Sequence, residues 1–183
     1  MKTFFRALGL GWLLSLTALA AAASAENPGF LVLEEYLTII KVTDANQFLA
    51  YSKQTGLWKK HAFDEGVKAL PVVAGSVCAF GLSGGQISEL VAVDERGNWR
   101  SVKLARPTLT ECRPIVDRQV AAYVVDGRIY AFSPVTGSWD SIKSEGKPYL
   151  NGDIVTVTTE DTIAIFSAIT GTWSEASLKS DAR

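Results

Sequence analysis

Four tryptophans close one recurring phrase, and that recurrence constrains the chain more than any other feature. Phe48-Leu-Ala-Tyr-Ser-Lys-Gln-Thr-Gly-Leu-Trp58 is the first copy. Ile129-Tyr-Ala-Phe-Ser-Pro-Val-Thr-Gly-Ser-Trp139 and Ile163-Ala-Ile-Phe-Ser-Ala-Ile-Thr-Gly-Thr-Trp173 are the third and fourth. The second, Leu90-Val-Ala-Val-Asp-Glu-Arg-Gly-Asn-Trp99, is one residue shorter and has lost the Thr. Trp58, Trp99, Trp139 and Trp173 are separated by 41, 40 and 34 residues. A period of this length marks a stack of equivalent supersecondary units, none of which can bury its apolar faces alone.

A second phrase recurs upstream of the tryptophans. Pro71-Val-Val-Ala-Gly-Ser-Val-Cys-Ala-Phe80, Pro114-Ile-Val-Asp-Arg-Gln-Val-Ala-Ala-Tyr123 and Pro148-Tyr-Leu-Asn-Gly-Asp-Ile-Val-Thr-Val157 align without gaps. In the first unit Phe30 to Val42 fills the same role, with Pro28 displaced. Each unit reads as four short strands: an apolar pair after the proline, an apolar run, a strand ending in Tyr-Ser or Phe-Ser, and a strand carrying the Trp. Proline is tolerated at a strand start because no ladder bond needs its missing N–H. Asp44-Ala-Asn46, Asp126-Gly127 and Glu160-Asp161 supply turns between the second and third strands, and Gly81 to Gly85 predicts a longer loop there in the second unit. Gly56, Gly97, Gly137 and Gly171 close the turn before each Trp, where glycine takes positive φ without steric cost. The runs Val120 to Val125 and Thr162 to Phe166 are β-branched and aromatic, which favours strand over helix. Lys59 to Leu70 has room for one helical turn and no more. The expectation is an all-β chain of four antiparallel units, near residues 28–61, 71–104, 114–142 and 148–177, arranged radially as a β-propeller with an indole wedged between successive sheets. The Trp is expected beside the aromatic of its neighbouring strand, Tyr51, Phe132 or Phe166.

Residues 1–25 read as an address rather than as part of this fold. Lys2 and Arg6 precede the apolar run from Ala7 to Ala20, and Ala23-Ser24-Ala25 offers the small residues a signal peptidase requires. A cleaved signal-peptide helix places the mature chain in the secreted or periplasmic space, with no membrane attachment afterwards. Removing Lys2 and Arg6 from the 18 basic residues leaves 16 against 19 acidic. That balance gives no electrostatic footprint for nucleic acid.

The phrase Phe80-Gly81, Leu90-Val-Ala-Val-Asp94 and Trp99 resembles a kelch repeat, and Tyr130-Ala-Phe-Ser-Pro-Val-Thr-Gly137 resembles the quinoprotein (PQQ-type) propeller repeat. Both resemblances imply a β-propeller across about Pro28 to Ser177. Kelch repeats are longer and carry a double glycine that three of these units lack, so the fold alone carries over. Four units can close by themselves, or two chains can share one larger ring as a homodimer.

No catalytic, cofactor-binding or metal-binding constellation is legible. His61, the only histidine, follows the Trp58 strand in what reads as a solvated connection beside Lys59, Lys60, Asp64 and Glu65. Cys78 and Cys112 stand 34 residues apart in an oxidising compartment and form a candidate disulfide between adjacent units. No Cys or His spacing fits zinc, no acidic spacing fits calcium, and Gly81 to Gly85 lacks the lysine of a phosphate loop. The reading is a non-catalytic binding module for a protein or a glycan. The alternatives are a glycan-active hydrolase or lyase with a site assembled across units, and a subunit completing a larger propeller. Gly81 to Gln86, Arg106 to Arg113 and Lys143 to Tyr149 are the segments that would furnish a site.

Overall fold

The computed structural model describes residues 30–33, 35–42 and 45–179. The signal segment 1–25, Pro28 and Asp44 of the first turn lie outside the described residues. Sixteen strands form four antiparallel sheets, each a simple meander. Sheet 1 holds β1 (Phe30–Leu33), β2 (Leu37–Lys41), β3 (Gln47–Ser52) and β4 (Leu57–Ala62). Sheet 2 holds β5 (Val67–Ala74), β6 (Val77–Gly84), β7 (Ile87–Val93) and β8 (Trp99–Thr108). Sheet 3 holds β9 (Ile115–Asp117), β10 (Val120–Val125), β11 (Arg128–Ser133) and β12 (Ser138–Lys143). Sheet 4 holds β13 (Pro148–Asn151), β14 (Ile154–Thr158), β15 (Thr162–Ser167) and β16 (Thr172–Ser177). No helix occurs among the described residues. The architecture is that of four consecutive blades of a β-propeller.

Register fixes which side chains share a face. Trp58, Trp99, Trp139 and Trp173 stand opposite Tyr51, Val93, Phe132 and Phe166 respectively. The expected aromatic pairs form, with ring centroids 5.0 Å apart for Tyr51–Trp58, 4.9 Å for Phe132–Trp139 and 5.6 Å for Phe166–Trp173. Because side chains alternate across a strand, each sheet has a tryptophan face and an opposite face. The tryptophan face of one sheet packs on the opposite face of the sheet before it. Trp99 Nε1 donates to Lys59 O at 3.1 Å, and its ring stacks on His61 at 4.8 Å. Trp139 packs against the cluster that contains Leu90 and Ala92 of sheet 2. Trp173 packs against Ile129 and Ile142 of sheet 3, and its backbone N–H donates to Asp140 Oδ2 at 2.9 Å.

A hydroxyl repeats at the joints. Ser52 Oγ donates to Glu95 O of sheet 2 at 2.6 Å, and Ser133 Oγ donates to Ala168 O of sheet 4. Asp94 takes the equivalent place in sheet 2, where its buried carboxylate accepts from Arg96 N and Asn98 N. The turn glycines are pressed into the same joints. A Cβ on Gly97 would lie 3.2 Å from Ser52 Cβ, and one on Gly171 would lie 2.1 Å from Ser138 Oγ.

Trp58 departs from this scheme. It is 50% exposed, and no described sheet covers its face. Three tryptophans are therefore joint anchors and the first is not, although its phrase is indistinguishable in sequence. Among the described residues no hydrogen bond or ion pair links sheet 4 to sheet 1.

Three further expectations change. Lys59 to Leu70 forms the end of β4 and the start of β5, with no helical turn, because both strands find ladder partners. The loop expected from Gly81 to Gly85 is mostly strand, since β6 runs on to Gly84 paired with β5. Its other edge parts from β7 after Ala79. Tyr123 fills that gap: its hydroxyl accepts from Phe80 N and donates to Phe80 O, both at 2.9 Å. Further along, Leu82 and Cys112 exchange two backbone hydrogen bonds of 2.9 Å. That pairing removes the candidate disulfide. Cys112 lies opposite Leu82, four residues along β6 from Cys78, or about 13 Å at a strand's rise. A disulfide needs Cα atoms within about 7 Å. Both cysteines are free and buried, and burial raises both thiol pKa values.

Candidate functional site

The first strand of each sheet is an edge strand, and β9 lies beside both β5 and β13. This placement explains the recurring prolines. Pro71 sits in the middle of β5, not at its start, and is tolerated because one side of an edge strand has no ladder to serve. The residue after each proline, Val72, Ile115 or Tyr149, is exposed. Tyr149 reaches 70% exposure, and Leu70, two residues before Val72, reaches 58%. Apolar side chains that the pattern would assign to a core thus line one edge of three successive sheets. A cleft of about 560 Å³ opens there between sheets 2 and 3, walled by Leu70, Val72, Gly81 and Pro114 and flanked by Lys68 and Arg113. Arg113 is paired with Glu111 at 2.9 Å.

A second cleft of about 330 Å³ lies where β8 meets the β10–β11 turn. Arg106, Arg128 and Lys143 surround it, with Asp126 and Tyr130. Tyr130 Oη accepts from Ala105 N at 3.3 Å, which ties β8 to sheet 3 and fixes one wall. Asp126 adopts a φ of 49°, the one positive value among the described non-glycine residues, as the Asp-Gly hairpin turn requires. The segments expected to furnish a site are therefore divided. Arg106 and Lys143 meet at this cleft, while Ser83, Glu111 and Arg113 line the other.

His61 is not in a solvated connection. It is the fifth residue of β4, half-buried between Trp99 and Phe63, whose ring meets it edge-on at 4.8 Å. Burial lowers its pKa, and the nearby carboxylates of Glu89 and Asp64 oppose that shift without cancelling it. The neutral ring serves as packing between two sheets. Among the described residues no group of three or more His, Cys, Asp or Glu is placed to hold a metal ion. The exposed Leu70 and Tyr149, and the ladder-filling Tyr123, were missed by sequence reasoning. Exposure of the residue after Pro had no signal, because an apolar pair at a strand start reads equally as core.

No family model and no curated protein matches the chain. Among solved structures it is similar to Kluyvelomyces marxianus Hsv2, at 13% identity over 80% of this chain and 48% of that one, with a TM-score of 0.39. It is also similar to a streptogramin B lyase, at 15% identity over 82% of this chain and 54% of that one, with a TM-score of 0.39. A third is virginiamycin B lyase from Staphylococcus aureus, at 12% identity, with 83% and 55% covered and a TM-score of 0.41. The chain spans about half the length of these structures.

Proposed function

We propose that the chain is a non-catalytic binding module of the secreted or periplasmic space, and that it holds an apolar segment of a protein partner along its first-strand edge. The observation that carries this reading is the exposure of Leu70, Val72, Ile115 and Tyr149 on neighbouring edge strands. Contiguous exposed apolar side chains rimmed by charge mark an interaction surface, because leaving them in water costs free energy that a partner recovers. Lys68, beside the mutually paired Arg113 and Glu111, leaves one net positive charge at the groove and favours a segment with an acidic neighbour.

The probes are a random peptide library displayed on phage and a glycan array. Peptides rich in aromatic and aliphatic residues should be enriched on the protein, and binding should fall at least tenfold with Leu70→Asp or Tyr149→Ser. Both side chains are exposed, so circular dichroism should report an unchanged fold. Peptides held equally well by both variants, or binding confined to the glycan array, would overturn the assignment.

A further inference from the structure

The four sheets make an arc with two unlike ends, and the ends carry the two kinds of face that meet at each internal joint. At the leading end, the tryptophan face of sheet 1 presents Trp58 and Tyr51 with Ile40 and Leu49 beside them. At the trailing end, the opposite face of sheet 4 presents Ile163, Ile165, Ser174 and Ala176 around a concavity of about 440 Å³. Ile163 stands where the three internal joints have Phe48, Leu90 and Ile129, all fully buried. Ile165 stands where they have Ala50, Ala92 and Ala131, also fully buried.

We infer that two copies of this chain close head to tail into one eight-bladed ring, with Trp58 of each copy seated on the Ile163–Ile165 face of the other. The chain itself shows the interface three times, so this surface continues an established packing rather than merely being apolar. Two smaller features agree. The hydroxyl of Ser167 is the equivalent of Ser52 and Ser133, which donate to the next sheet's turn; it accepts from Ile169 N and donates to nothing among the described residues. Its acceptor in a second copy would be the carbonyl of Lys53, the equivalent of Glu95 and Ala168. Gly56 has a positive φ like those of Gly97, Gly137 and Gly171, yet a Cβ there would meet nothing within 4 Å, because no described sheet presses on that turn. The count selects two copies. Propellers run from about four to eight blades, and two arcs of four give eight where three would give twelve. A head-to-tail interface closes into a ring when its rotation divides the circle, here by half.

The experiment is the mass of the purified chain in solution by light scattering across a wide concentration range. The wild-type protein should have twice the mass of one chain. Trp58→Glu and Ile165→Glu should each halve that mass while circular dichroism stays unchanged, since both side chains are exposed in the single chain. Ile165→Ala should remain a dimer, because alanine holds this position at every internal joint. Leu109→Glu, at an apolar loop site more exposed than either, should also remain a dimer. A wild-type mass of one chain at all concentrations would mean that another occupant, or nothing, covers these faces. That result, a mass of three or more chains, or a Trp58→Glu variant that stays dimeric, would each overturn the inference. The peptide-binding readout of Leu70→Asp, on β5 of sheet 2, is independent of this mass; that of Tyr149→Ser is not, since Tyr149 shares the Ile165 face through Thr156.

Discussion

At the scale of single residues, the best-placed side chain is one that the repeat pattern hides. Tyr123 lies in the same phrase as Phe80, and either reads as a core aromatic. Only Tyr123 carries a hydroxyl, and it reaches the one stretch of β6 whose ladder has parted from β7. The ring is fully buried, and burial holds the phenol far above its ordinary pKa, so it stays a neutral donor and acceptor. Tyr123→Phe keeps the ring and removes both bonds, leaving an N–H and a C=O of Phe80 without partners in the core. Each such orphan costs about 1–3 kcal/mol, so the variant should lose about 2–6 kcal/mol in urea titration. A loss below about 1 kcal/mol would mean that water enters the gap and satisfies Phe80. The neighbouring Asp94 shows the same economy. Where other sheets use serine to tie a turn, this carboxylate gathers two backbone N–H groups and the Arg100 guanidinium at 3.4 Å.

At the scale of elements, the repeating unit is a sheet plus the socket that the sheet before it provides. The turn glycine separates the two contributions. All four glycines hold φ between 67° and 74°, a left-handed conformation that costs a residue with a Cβ about 1–2 kcal/mol. In the Trp58→Glu background, where no second copy presses on this turn, Gly56→Ala should cost that much and no more, since open space surrounds it. Gly171→Ala should cost clearly more, because its Cβ would strike Ser138 Oγ and Thr136 Oγ1. Thermal unfolding of the two variants checks this, and equal losses would show that the joint yields freely. Strands, turns and the Trp–aromatic pairs were legible because period-two patterning and Thr-Gly turns are local. What lay outside the unit was not. Whether a sheet has a neighbour is a property of the stack, so Trp58 looks like Trp139 in sequence and differs only in what covers it. The same holds for His61, whose burial comes from Trp99 of the next sheet, and for Cys112, whose position is set by pairing with Leu82.

At the scale of the whole molecule, the apolar core is unevenly divided. One cluster runs without a break from Leu37 and Phe48 of sheet 1 through Phe80 and Leu90 of sheet 2 to Tyr123 and Phe132 of sheet 3. Sheet 4 is held to sheet 3 by two smaller clusters, around Phe166 and around Val157, and no described sheet covers its far face. In a linear stack each unit is stabilised by its own folding and by nearest-neighbour joints. Sheets 2 and 3 have neighbours on both sides, and β6 is further bound by Tyr123 and Cys112 across the joint. Sheet 4 has one described neighbour, so it should open below the global unfolding free energy. Trp58→Glu is the right background for the measurement, because it leaves sheet 4 unaltered and removes any protection a second copy would give. In that variant, amide hydrogen exchange at Val155, Val157 and Phe166 should run at least tenfold faster than at Ala79, Phe80 and Tyr123. In the wild-type chain the difference should shrink, because a seated Trp58 gives sheet 4 its second neighbour. Uniform exchange across all four sheets in the variant would mean that the arc unfolds as one cooperative unit, and that the joint between sheets 3 and 4 is as strong as the continuous core beside it.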